Sequence, residues 1–174
     1  MKKLIIAAAM VCAAAFAQAA TVNWGVSNVK NSSGAAPTAG WAVMAFYTEV
    51  GAGSDAIVSA IQSKSAGALA FDTGSLAVSL SKGKVSAKDA NATGITDTSK
   101  NYDFYFVVLN DSDATKATEY ALVSAPNKAY SGMDAKFKAA GDFSGATWQS
   151  VPEPTSGLLM LLGIAGLALR RRRA

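Results

Sequence analysis

Histidine is absent from all 174 residues, and cysteine occurs once, at Cys12. A Ser-His-Asp triad and a Cys-His dyad both need an imidazole that this chain cannot supply. Zinc sites built from His and Cys lack their ligands in the same way. No Walker-type phosphate loop is present, and no Gly-rich dinucleotide fingerprint follows a strand. Carboxylates remain: Glu49, Glu119 and nine Asp lie between residues 20 and 150. Glycoside hydrolysis needs only two of them, but the spacing singles out no pair, and solvated loop or strand-end carboxylates are the expectation. Asn110, Asp111 and Asp113 cluster oxygen ligands, yet the further acids and the glycine of a calcium loop are missing, so Asn110-Asp111-Ser112-Asp113 reads as a turn. Ser63-Lys64 and Ser81-Lys82 are adjacent, and adjacent residues of a strand point to opposite faces. Trp24, Trp41 and Trp148 could stack on sugar rings, but their alternation with polar neighbours predicts core packing, with Trp24 and Trp148 less buried than Trp41. The expectation is a protein without catalytic residues, cofactor or metal site, hence not an enzyme.

The residues with the sharpest patterning lie at the two ends. Lys2 and Lys3 precede an apolar run from Leu4 to Phe16, and Ala17-Gln18-Ala19 puts small residues at −3 and −1 of a cleavage site. These are the three parts of a secretory signal peptide, predicted to span residues 1–19 and to be cut after Ala19. Its partners would be the Sec translocon and signal peptidase. Near the other end, Pro152 and Pro154 flank Glu153 and keep the chain extended. Residues 156–169 then form an apolar run of 14, about 21 Å as helix at ~1.5 Å per residue against a hydrocarbon core of ~30 Å. Arg170, Arg171, Arg172 and Arg173 follow. Arginines snorkel and bilayers thin locally, so a short span with its basic side in the cytoplasm is expected.

Val151-Pro152-Glu153-Pro154-Thr155-Ser156, the short apolar run and the arginine cluster together resemble a PEP-CTERM sorting signal. The resemblance covers residues 151–174. It implies recognition by a membrane-embedded exosortase, a cut near Pro152-Glu153-Pro154, and delivery of an initially inner-membrane-anchored precursor to the cell surface or beyond. It also implies an association with extracellular polysaccharide.

The net charge of +4 belongs to these ends. Residues 20–150 hold ten lysines against eleven acidic residues, so no basic face for nucleic acid is expected. This body would contain no cysteine, and its stability must come from its core. Val22, Trp24 and Val26 alternate with polar or small residues, as do Leu76, Val78 and Leu80. Residues 41–48 and 102–109 are apolar on both faces, as in central strands. Segments 119–124 and 146–151 complete the strand set. One helix is predicted over about 54–64, capped by Ser54, with Ile57, Ala60 and Ile61 on one face. Helices do not alternate with strands, so the fold class is mainly β: an antiparallel β-sandwich with one short helix, plus the C-terminal hydrophobic helix. Gly141 to Gly145, and then Val151 to Pro154, read as the exit linker. The functional expectation is an exported, non-enzymatic surface or matrix protein; the alternative is a small secreted carbohydrate-binding or carbohydrate-active protein.

Overall fold

A computed structural model describes residues 19–152. Ten strands and one α-helix follow in order: β1 Ala20–Val29, β2 Ala42–Glu49, α1 Asp55–Gln62, β3 Asp72–Ser75, β4 Ala77–Ser79, β5 Lys82–Ala92, β6 Tyr102–Leu109, β7 Glu119–Lys128, β8 Tyr130–Ser131, β9 Lys136–Asp142 and β10 Trp148–Ser150. A 3-10 turn at Ala66–Ala68 follows α1. The strands form two five-stranded sheets, ordered β4-β5-β1-β9-β8 and β10-β7-β6-β2-β3. All pairs are antiparallel except β1 with β9, which run parallel with Trp24 opposite Ala139. That pair departs from an all-antiparallel sandwich. It arises because β1 lies in the middle of its sheet, where the last long strand joins it from the far end of the sequence.

The two sheets enclose one core. Val22, Trp24 and Val26 from β1 share it with Val43 and Ala45 from β2, Phe104, Phe106 and Val108 from β6, and Phe137 of β9. Trp24 stacks on Phe106 with ring centroids 5.8 Å apart, a favoured aromatic geometry. A second cluster lies on the other face of the second sheet. There Ile57, Ala60 and Ile61 of α1 cover Met44, Phe46, Tyr105 and Val107. This third layer explains why β6 is buried along its whole length and carries apolar residues on both faces. The helix falls where the sequence predicts it, without a side-chain cap from Ser54.

The structure corrects four expectations. Leu80 does not continue a buried alternation: it is 95% exposed. Leu80 and Ser81 have φ of 49° and 61° and form the two-residue turn that joins β4 to β5 at the Ser79–Lys82 pair. Both φ values are positive, as right-twisted hairpins require. Four strands are absent from the expected set: the short β3 and β8, and the long pair β5 and β9. Their inward residues are small or few: Gly83, Val85 and Ala87 in β5, and Phe137, Ala139 and Gly141 in β9. Gly141 is therefore a strand residue and not a linker; it packs against Phe106 and Val123. Trp24 also departs from the expected order of the tryptophans. Trp24 is 3% exposed, whereas Trp41 and Trp148 are half-buried. The Trp24 Nε1–H donates to Asp72 Oδ2 at 2.7 Å, which satisfies its only polar atom and permits deep burial. The expected apolar helix at 156–169 lies outside the described residues.

Candidate functional site

The polar candidates of the sequence are scattered, and most have a structural partner. The Ser112 turn forms as predicted: Asp111 Oδ1 accepts the Asp113 backbone N–H at 2.8 Å, and Asp113 Oδ1 accepts from Thr115 N–H and Oγ1–H. The Thr115 hydroxyl and amide hold the Asp113 carboxyl below its ordinary range, because they bond only to its charged form. Glu49 faces Lys100 at 3.7 Å. Lys64 donates to the Thr115 carbonyl at 2.7 Å, Ser63 to that of Ala60, and Lys82 to Asn28 Oδ1, so neither Ser-Lys neighbour pair acts together. Among the described residues no three acidic side chains gather as metal ligands would.

Glu119 is different, because it lies beside β10, the last strand among the described residues. It begins β7, the strand that β10 joins through Trp148–Ala121, Gln149–Tyr120 and Ser150–Glu119. A groove of about 450 Å³ opens beside this pairing, lined among others by Lys30, Asn31, Glu119, Ser144 and Trp148. Ser32 Oγ–H donates to Glu119 Oε2 at 3.0 Å. The Trp148 indole meets Trp41 edge-on at 5.6 Å and donates its N–H to the Lys30 carbonyl at 3.0 Å.

The strand β10 holds the start of the segment singled out by the sequence. Tyr120 Oη–H donates to Gln149 Oε1 at 2.6 Å, and burial pushes the Tyr120 phenol above its ordinary value. The next residue but one, Val151, is 5% exposed. Its side chain belongs to the cluster beneath α1, and its N–H donates to the Thr118 carbonyl at 2.7 Å. The packed body thus extends through Val151, and Pro152 follows it at the surface, exposed. Proline has no N–H to donate, so the backbone ladder stops there. At the opposite terminus Ala19 is half-buried and Ala20 opens β1, its N–H reaching the Ile95 carbonyl at 3.3 Å. Ala17, Glu153, Pro154 and Arg170 to Arg173 lie outside the described residues. Val151 is not a linker residue: it is buried in the cluster that also holds Ile57, Ala117 and Tyr120, residues far from it in sequence. A signal was present: an apolar residue two places after Gln149 continues the strand's alternation.

Compared with curated proteins and with solved structures, the chain finds no match. Residues 150–173 match the family described as the PEP-CTERM protein-sorting motif, so this chain carries that motif, and its first two residues, Ser150 and Val151, are part of the folded body.

Proposed function

We propose that this is an exported, non-enzymatic protein of the cell surface or extracellular matrix, delivered there through its PEP-CTERM signal. The motif itself implies export, a membrane-anchored precursor and an exosortase-like processing enzyme. The observation that supports the reading best is the placement of that motif. Val151 is buried in the body, and the Pro-Glu-Pro motif begins at the very next residue, Pro152, which is exposed and has no N–H to extend the ladder. The absence of histidine argues for a non-enzymatic role, as do carboxylates that are held by turns, amides and lysines. The test is replacement of Pro152, Glu153 and Pro154 by alanine in the full chain, expressed in a host with its sorting enzyme. The variant should be exported but retained uncut in the membrane. Processing and release at the wild-type rate would refute the sorting reading.

A second reading is favoured by the groove at Trp148. It combines a half-buried indole with Asn31, Ser32, Glu119 and Lys30, an apolar face beside hydrogen-bonding groups, which suits a saccharide. A single carboxylate there fits binding and not hydrolysis, which needs two.

A further inference from the structure

Ser150 and Val151 belong both to the matched motif and to the fold, and this double membership has a mechanical meaning. A peptide-cleaving site must enclose an extended segment on both sides of the bond it cuts. A cleft that reaches upstream past Pro152 would have to enclose Val151 and Ser150, which the fold holds in place. The Val151 side chain is inside the cluster under α1, and its N–H is committed to Thr118. We infer that detachment of β10 from β7 gates processing: the sorting enzyme takes up the motif only from molecules in which the segment 148–151 has left its seat.

This inference rests on the sorting reading. The strand is suited to such a role. It has three residues, it lies at a sheet edge, and edge elements open locally without global unfolding. Its hold on the body is specific and limited: the short ladder to β7, the Tyr120–Gln149 hydrogen bond, the Trp148–Lys30 hydrogen bond, the edge-on contact of Trp148 with Trp41 and the seat of Val151. When opening and closing are fast, cleavage follows the population of the open form. The rate should therefore track the strength of these contacts.

The experiment uses the full chain in a host with its sorting enzyme and follows cleavage by pulse-chase. Cys12 is the only cysteine, so a Cys12→Ala background permits a clean staple. Glu119→Cys with Ser150→Cys joins a directly opposed pair of β7 and β10. The oxidised form should be cut at least tenfold more slowly than the same protein after reductant. A second arm, Gln149→Ala, lies outside the matched residues and removes the acceptor for Tyr120; it should speed cutting severalfold, the effect of one lost hydrogen bond. A stapled form cut as fast as its reduced form overturns the gate, and so does a Gln149→Ala variant cut no faster than wild type. The Pro152, Glu153 and Pro154 alanine variant runs alongside. If it blocks cutting while the staple has no effect, only the gate fails; if it is cut normally, the sorting reading fails with it.

Discussion

Substituting Gly141 by alanine should destabilise the body, and the sign of the effect is the test. In an exposed linker, Gly→Ala stabilises by ~0.4–1 kcal/mol because the unfolded chain has fewer states to lose. In β9 the new Cβ would lie 2.7 Å from Phe106 Cδ2 and 2.7 Å from Val123 Cγ2. Phe106 is fully buried and stacked on Trp24, so it cannot recede without moving the core. Overpacking of this kind costs about 1–3 kcal/mol, which leaves roughly 1–2 kcal/mol of net destabilisation after the chain-entropy gain. For a body of this size that is a melting-temperature decrease of roughly 3–8 °C. Gly145→Ala is the control: nothing lies within 4 Å of a Cβ there, and the substitution should be neutral or mildly stabilising. Residues 20–152, prepared without the two ends, would be followed by thermal melts and urea titration. A Gly141→Ala protein as stable as wild type would refute the packing argument for β9.

Stability should fall in acid. Hydrogen bonds from Asn28, Thr115, Ser99 and Lys138 hold Asp142, Asp113, Asp97 and Asp134 below the ordinary carboxylate range. A folded value below the unfolded one gives stability that is present above the unfolded pKa and lost as pH falls through the folded one. The urea midpoint should therefore hold above about pH 5 and drop as pH goes below about 4; a flat midpoint down to about pH 2 would contradict this. For the saccharide reading, tryptophan fluorescence should respond to β-1,4-linked glucose or N-acetylglucosamine hexasaccharides. Trp148→Ala should weaken binding about tenfold, equivalent to ~1.4 kcal/mol, and a wild-type protein indifferent to both sugars would remove that reading.

Legibility in the sequence followed side-chain size. β6 declared itself through eight residues from Tyr102 to Leu109, all buried, and β2 and α1 were nearly as plain. β5 and β9 were hidden because they turn glycine, alanine and only one or two larger residues inward while presenting lysines outward. The residue that misled, Leu80, is an exposed apolar tip in a turn that commonly uses Asn-Gly. Deep burial of Trp24 depended on Asp72, 48 residues away, a pairing that no local pattern reveals. The sorting motif was legible from its own residues, but its overlap with the fold was not, because the cluster that Val151 joins is drawn from residues as distant as Met44, Ile57 and Ala117.

The central position of β1 has a consequence for synthesis. The first strand to be made has partners that are made late: β5, and then β9, whose Phe137 pairs with Val22. At the usual 5–20 residues per second of elongation, β1 waits on the order of ten seconds for its parallel neighbour. Until β5 and β6 have followed, Trp24 and the valines around it have no core to enter, and until β9 arrives their sheet lacks its parallel strand. Closing so distant a pair is also slow, since the entropy of loop closure is lost before any contact compensates it. The emerging chain therefore stays open for most of its synthesis, a state compatible with threading across a membrane and one that needs protection from aggregation on the way.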